Sequence, residues 1–122
     1  RYWRDWSSDV CSSDLCMDME DLVETTEGFS MELTPEGKQL CPSLDLGSCP
    51  PILGYNKTFA KEDATVIARF RETGDPAIVI GAMGKGKVLA YTSDPSPHWG
   101  CNFVYWDGYA AFWQALAQLV LA

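Results

Sequence analysis

The clearest alternation of hydrophobic and polar residues lies in the second half of the chain. Between Thr65 and Phe70, one alternating set of side chains is wholly apolar and the other includes polar residues, which is the period of a β-strand with one wetter face. Two largely apolar runs follow, at Ala77–Ile80 and at Val88–Thr92. Such runs are typical of strands that are covered on both faces. The pattern therefore predicts three consecutive β-strands.

The second and third of these strands are separated by a glycine-containing segment, Met83–Lys87. Glycine adopts the positive φ that a tight hairpin turn requires, so we interpret the segment as a hairpin. The wider run Gly81–Lys87 also fits the start of a phosphate-binding loop. Val88, however, stands where that motif needs a Ser or Thr hydroxyl, and a strand follows where the motif needs a helix. We therefore expect no nucleotide site here.

A helix is predicted at the end of the chain. Asp107 is a suitable N-cap, and hydrophobic residues follow it at helical spacing, namely Tyr109, Phe112, Trp113, Leu116, Leu119 and Val120. This broad apolar face suits a helix that packs on a sheet. The preceding segment Asp94–Gly100 contains Pro95 and Pro97, which exclude a helix and predict a rigid loop.

The first half of the chain has a weaker pattern. The segment Cys16–Asp45 is rich in Asp and Glu, and glycines together with Pro35 interrupt it, which predicts a loop with short turns. We interpret its carboxylates as a solvated surface, because calcium-binding loops need a tighter alternation of carboxylates around a glycine. Prolines and glycines between Cys41 and Asn56 predict a further loop, in which Ile52 and Leu53 form a short buried step.

Residues 1–15 have neither a helical nor a strand period. The string from Arg4 to Leu15 resembles the conceptual translation of sequencing-adapter DNA, and an ordinary disordered polar leader is the alternative. We therefore set residues 1–15 aside as an artefactual or disordered leader and treat 16–122 as a partial domain. On this interpretation the natural protein extends further upstream.

Composition and charge limit the partners and the location that this protein can have. The chain has 9 Lys and Arg against 17 Asp and Glu, a formal net charge of −8, which disfavours binding to nucleic acid or to an anionic membrane surface. Its 5 Cys include no Cys-x-x-Cys pair, so reduced thiols in a cytoplasm are the simplest interpretation. The sequence contains neither a membrane-spanning run nor a signal peptide. We expect a cytoplasmic protein with no metal and no cofactor. The sequence does not indicate its oligomeric state.

The candidate chemistry lies in the proline-containing loop. His98 is the only histidine of the chain, and it follows a predicted strand, where open α/β sheets place ligands and catalytic groups. An imidazole is a general base at neutral pH, and Asp94 is its candidate orienting carboxylate. The alternative is that His98 and Trp99 only pack and hydrogen-bond within the loop. The sequence has no Gly-x-Cys-x-Gly or Gly-x-Ser-x-Gly elbow, and we interpret Cys49 and Cys101 as packing residues.

Three segments resemble a known family. They are CPPILGYN at Cys49–Asn56, GKGKVLAYTSDPSPHWG at Gly84–Gly100, and the start of the final helix at Trp106–Tyr109. They are similar to the carboxy-terminal half of bacterial glutamine amidotransferase-like domains, which are related to class I glutamine amidotransferases and to the ThuA-like proteins of trehalose utilisation. The resemblance covers residues 45–122 and is most specific at the GYN and TSDPSPHWG segments.

This resemblance implies the fold class α/β, as a C-terminal fragment of a flavodoxin-like three-layer α/β/α domain with short strands and a closing helix. It implies that the elbow with the nucleophilic cysteine lies upstream and that His98 stands at a place comparable to that of the triad histidine. Trp99 and Gly100 follow in place of the usual His-x-Glu arrangement. Because the nucleophile and half of the sheet are missing on this interpretation, we expect no amidotransferase activity from this chain alone.

The alternative is a non-catalytic module on the same fold that holds a small polar ligand or assembles with a partner. The candidate catalytic residues are His98 and Asp94. The candidate ligand-binding residues come from the two most specific segments and are Tyr55, Asn56, Ser93, Ser96 and Trp99.

Overall fold

A computed structural model describes residues 15–94 and 98–121, with side chains from residue 22 onward. Within these residues the strands are β1 (Leu15–Phe29), β2 (Met31–Leu33), β3 (Ile52–Ala60), β4 (Thr65–Phe70), β5 (Pro76–Met83) and β6 (Gly86–Tyr91). The helices are α1 (Pro35–Leu40), a short 3₁₀ helix (Phe103–Tyr105) and α2 (Tyr109–Leu121). The predicted α/β class is confirmed. The leader predicted for residues 1–15 lies outside the described residues except for its last position.

The strands form two sheets. β1 and β3 make a two-stranded antiparallel ribbon, and the second sheet has the order β2-β4-β5-β6. All strand pairs of the second sheet are antiparallel as well. The three strands predicted from alternation are thus neighbours in one meander, because short turns bring consecutive antiparallel strands together.

The hairpin between β5 and β6 is confirmed. Met83 pairs with Gly86, and Gly84 between them has a φ of +58°, which a side chain would strain. The phosphate-loop motif is thereby excluded, since its helix is replaced by β6. β6 is only half-buried, although the apolar run predicted a strand covered on both faces. It is an edge strand within the described residues, with a neighbour on one side only.

The loop predicted for Cys16–Asp45 is wrong. Its first 14 residues belong to β1, which pairs with β3 from Leu15 opposite Ala60 to Phe29 opposite Ile52. β3 also extends the short step predicted at Ile52 and Leu53 into a strand of 9 residues. The backbone hydrogen bonds of β1 come from residues far along the chain, so tertiary pairing overrides its weak local preference.

Pro35 begins a helix and does not interrupt one. It stands at the start of α1, where a missing backbone N–H costs nothing. Thr34 caps the helix, since its Oγ1 accepts from the backbone N–H of Gly37 at 2.9 Å and donates to the carbonyl oxygen of Val66 at 2.6 Å. Gly37 packs directly on β4, because a Cβ there would lie 2.1 Å from the carbonyl oxygen of Ile67.

The closing helix is confirmed, but it begins two residues after the predicted cap. The carbonyl of Gly108, not of Asp107, accepts the first helical hydrogen bond, from Phe112 N at 2.8 Å. The indole of Trp106 lies against Gly108, where a Cβ would come within 2.4 Å of the ring. The aromatic packing therefore selects glycine at this position over a side-chain cap.

Aromatic rings join the two sheets and the closing helix. Tyr55 of β3 stacks on Phe70 of β4 with ring centroids 4.1 Å apart, and Phe29 packs edge-on against Tyr55 at 5.1 Å. At the other end, Phe103 packs edge-on against Phe112 of α2 at 5.0 Å. This core positions the segment that connects β6 to α2.

Candidate functional site

The segment after β6 is anchored at its first residue. Thr92 is buried, and its N–H donates to the carbonyl oxygen of Ala77 at 3.0 Å while its Oγ1 donates to that of Pro76 at 3.1 Å. Its own carbonyl accepts from the N–H of Asn56 at 2.8 Å. The chain therefore leaves the sheet at a fixed point between β5 and β3.

Two further hydrogen bonds tie the loop to β3. The hydroxyl of Ser93 donates to the carbonyl oxygen of Gly54 at 2.6 Å, and the N–H of Leu53 donates to the carbonyl oxygen of Trp99 at 2.9 Å. Both ends of the loop thus rest on neighbouring residues of one strand. Ser96, a predicted ligand-binding residue, lies outside the described residues.

His98 and Asp94 form a hydrogen-bonded pair in this loop. His98 Nδ1 lies 2.7 Å from Asp94 Oδ2, and the two side chains are 66% and 35% exposed. A carboxylate can only accept, so we assign the proton to Nδ1. In the neutral ring this leaves Nε2 with a lone pair, which is the form that a general base needs.

Trp99 forms the wall behind His98. Its ring stacks on the imidazole with centroids 5.2 Å apart and an interplanar angle of 27°. Its Nε1 donates to Glu24 Oε2 at 2.7 Å, and the indole lies so close to Gly54 that a Cβ there would come within 2.6 Å. Trp99 is 8% exposed, so the ring is buried where it contacts the ribbon of β1 and β3.

An open groove of about 430 Å³ lies next to this pair. It is lined by Glu24, Thr25, Thr26, Leu53, His98 and Trp99. The lining combines an indole, two hydroxyls, a carboxylate and an imidazole, which is a composition suited to a small polar molecule. A larger groove of about 530 Å³ lies between α1 and β4. We place the candidate site at His98, because the larger groove contains no comparable pair of acid and base.

The remaining predicted ligand-binding residues lie elsewhere. Tyr55 is completely buried, and its hydroxyl donates to Asp75 Oδ2 at 2.5 Å and shares a 2.7 Å hydrogen bond with Thr73. Burial raises the pKa of Tyr55 to about 12, and the hydrogen bond to Asp75 acts in the same direction. Asn56 is exposed and contributes its backbone N–H to the anchor at Thr92. The structure thus brings Ser93, Asp94, His98 and Trp99 together and separates the Tyr55 hydroxyl from them.

None of the described thiols is arranged as a nucleophile for His98. Cys41 is buried, and its Sγ lies 3.8 Å from the carbonyl oxygen of Ala115. Burial raises the pKa of Cys49 to about 12, so this thiol stays protonated at neutral pH. Cys101 is half-buried, and within residues 22–94 and 98–121 no hydrogen bond joins a cysteine sulfur to His98. The same residues contain no group of three metal-ligating side chains.

The comparison with protein families matches nearly the whole chain. A family model described as "GATase1_like: Putative glutamine amidotransferase" matches residues 2–122. The chain belongs to this glutamine amidotransferase-like family. The match begins inside the segment that sequence analysis sets aside as a leader, and the adapter origin of that segment stays a prediction. A search of curated proteins gives no significant match.

Two solved structures from the bacterium Salmonella typhimurium are similar to this glutamine amidotransferase-like chain. "Cytoplasmic Protein STM1381" of strain LT2 has a TM-score of 0.81 at 34% identity, over 95% of this chain and 47% of that one. "Cytoplasmic Protein STM3548" has a TM-score of 0.80 at 29% identity, over the same shares of both chains. The chain therefore spans about half the length of the solved structures that it matches. None of the described helices is long and apolar enough to cross a membrane.

The part of the site that comes from the first half of the chain was not predicted from the sequence. Glu24, Thr25 and Thr26 belong to β1, which the sequence predicted as loop, and they line the groove at His98. Gly54 lies within the GYN-containing segment that carries the family resemblance, so a signal for it was present. Nothing in the sequence distinguishes Glu24, since it is one of many carboxylates in an acidic stretch.

Proposed function

We propose that this chain supplies the histidine base of a glutamine amidotransferase-like domain and that the chain does not hydrolyse glutamine by itself. The observation that carries the proposal is the 2.7 Å hydrogen bond between His98 Nδ1 and Asp94 Oδ2. This contact orients the ring and directs the lone pair of Nε2 away from the carboxylate.

The chemistry assigned to the pair is proton transfer. His98 Nε2 would accept the proton of an attacking thiol, and Asp94 would stabilise the imidazolium that forms. The ring stacked on Trp99 is restricted in rotation, which helps to hold Nε2 in one direction. A ligand in the groove would meet the imidazole at its exposed edge.

The proposed inactivity of the isolated chain rests on the thiols. Hydrolysis of an amide by this chemistry needs a thiolate within hydrogen-bond reach of the base. The raised pKa of Cys49 and the burial of Cys41 argue against both residues in that role. We propose that the nucleophile comes from residues outside this sequence, as the greater length of the similar structures allows. Kinship with ThuA-like proteins stays a prediction.

Net charge and the similar structures support the proposed location and partners. We propose a cytoplasmic location, because both similar structures are titled cytoplasmic proteins. A net charge of −8 argues against nucleic acid or an anionic membrane surface as a partner. The proposed ligand is a small polar molecule in the groove beside His98.

Nitrogen NMR of the single histidine tests the proposal directly. We expect neutral His98 to carry its proton on Nδ1 in the wild type, and we expect the Nε2–H form to gain population in Asp94→Ala. Predominance of the Nε2–H form in the wild type would contradict the assigned role of Asp94. Ammonia release from L-glutamine is expected to be equal for the wild type and His98→Ala, and release above that control would contradict the proposed inactivity.

The second candidate function is a non-catalytic binding module. The observation that favours it is the mixed polar and aromatic lining of the groove, which needs no nucleophile to hold a ligand. Titration of labelled protein with small polar molecules such as L-glutamine separates the two functions. Binding that Trp99→Ala abolishes and His98→Ala leaves unchanged would favour the module, whereas loss of binding in both variants would favour the base.

A further inference from the structure

Glu24 contacts the residue that stacks on the proposed base. Its carboxylate Oε2 accepts the indole N–H of Trp99 at 2.7 Å, across 75 positions of sequence. A hydrogen bond to a carboxylate is shorter and stronger than one between neutral groups. No other side chain in the described residues accepts this indole N–H. Glu24 therefore holds the indole N–H of Trp99.

The register of the ribbon explains why Glu24 reaches Trp99. Glu24 of β1 pairs directly with Gly54 of β3. Gly54 has no side chain, so the indole lies against its backbone, and the carboxylate of the opposite residue reaches the indole nitrogen. A shift of one residue would turn the Glu24 side chain to the other face of the ribbon. The contact thus depends on pairing of the two strands.

The position of Trp99 is transmitted to His98 by ring stacking. The two rings are neighbours in sequence and stack at 5.2 Å, while Asp94 holds the imidazole at Nδ1. The imidazole is therefore held at one ring nitrogen and on one face. Because His98 is largely exposed, few other contacts restrict it.

We infer that Glu24 is a positioning residue for His98 that acts through the indole of Trp99. This inference rests on the proposed function, since it gives Glu24 a part in orienting the proposed base. Loss of the acceptor oxygen would let the indole turn, and the imidazole would then lose the surface on which it stacks.

The test compares three variants by NMR of the folded chain. Glu24→Leu removes the acceptor, Glu24→Gln keeps an acceptor oxygen, and Glu27→Leu removes an exposed carboxylate from the same strand as a matched control. The signals followed are the indole N–H of Trp99, assigned with Trp99→Phe, and the carbon-bound ring protons of the single histidine.

We expect Glu24→Leu to move the Trp99 indole signal upfield and to shift both His98 ring protons, because the ring current of the stacked indole changes. Glu24→Gln and Glu27→Leu are expected to stay close to the wild type. The inference is overturned if Glu24→Leu moves the indole signal and leaves the His98 ring protons unchanged, since Glu24 would then have a local structural role only. It is also overturned if Glu24→Gln or Glu27→Leu has as large an effect as Glu24→Leu.

Gly54→Ala is the second variant, for the case that Glu24→Leu does not fold. Its methyl group displaces the indole while Glu24 is kept, so the same two sets of signals are expected to shift. Unchanged His98 ring protons in this variant would overturn the inference. The ring protons report stacking whichever nitrogen carries the proton. A failure of the tautomer assignment is therefore separable from a failure of the role assigned to Glu24.

Discussion

Gly54→Ala tests the packing that holds Trp99 beside His98. An added Cβ would lie 2.6 Å from Nε1 of Trp99 and 2.8 Å from both Cδ1 and Cε2. Favourable contacts between such atoms begin at about 3.5 Å, so the indole or the strand must move by roughly 1 Å. Because Trp99 is 8% exposed and is tied to Glu24 at 2.7 Å, the indole cannot move without losing contacts.

The expected cost follows from two opposing terms. Forcing a methyl group into a filled site costs about 1–3 kcal/mol. The φ of Gly54 is not positive, so alanine fits the backbone and restricts the unfolded chain, which returns roughly 0.4–1 kcal/mol. We therefore expect a net loss on the order of 1–2 kcal/mol in the free energy of unfolding. For a chain of 122 residues, that lowers Tm by roughly 4–8 °C.

The assay is thermal and urea unfolding of the wild type and four variants. Gly86→Ala is the matched control, because its Cβ would meet only Met83 O at 3.7 Å, an ordinary contact distance. This control is expected to be as stable as the wild type or slightly more stable. Trp99→Leu and the double variant with Gly54→Ala complete a double-mutant cycle. Wild-type stability of Gly54→Ala, or an equal cost in the Trp99→Leu background, would refute the clash with the indole.

Three further predictions concern the core and the titrating groups. Phe112→Ala is expected to lower the free energy of unfolding by about 3–5 kcal/mol in urea melts, because Phe112 is only 1% exposed. The control Phe59→Ala should lower it far less, because Phe59 is 54% exposed. Cys49 is expected to react with iodoacetamide at pH 8 far more slowly than a free thiol such as glutathione, since its pKa is raised to about 12. Rapid labelling of Cys49, detected by mass spectrometry, would contradict its burial. The folded-state pKa of Tyr55 is raised from 10.0 to about 12, so its contribution to stability is complete below pH 10 and is lost as the pH rises toward 12. Alkaline urea melts should show a shallower loss in Tyr55→Phe, and an unchanged slope would contradict this assignment.

Local patterns were sufficient for the second half of the fold. The meander from Thr65 to Thr92 and the helix of residues 109–121 carry their own periodicity, and the hairpin carries the glycines that its turn needs. The predicted N-cap of the helix was wrong by one position, because the contact of Trp106 with Gly108 decides where the helix begins. That contact depends on packing, which periodicity does not describe.

The candidate site was predictable only in part. His98 and Asp94 are close in sequence, so a short loop brings them together whatever the rest of the fold. Tyr55 and Asn56 lie in the GYN segment, which resembles the family as specifically as the segment that contains His98. Alternation along β3 nevertheless turns the Tyr55 ring into the core and leaves Asn56 exposed. A motif identifies a segment, whereas the face of a strand decides which of its side chains meet a ligand.

The sequence by itself determined the family, the α/β class, the acidic charge and the pair of His98 with Asp94, because each depends on composition or on residues close along the chain. The tertiary structure alone decided that the acidic first half forms β1 and that Glu24 meets Trp99. The physical reason is that a β-ribbon obtains its hydrogen bonds and its register from a distant partner. The residues next to β1 in the sequence do not indicate which strand it pairs with.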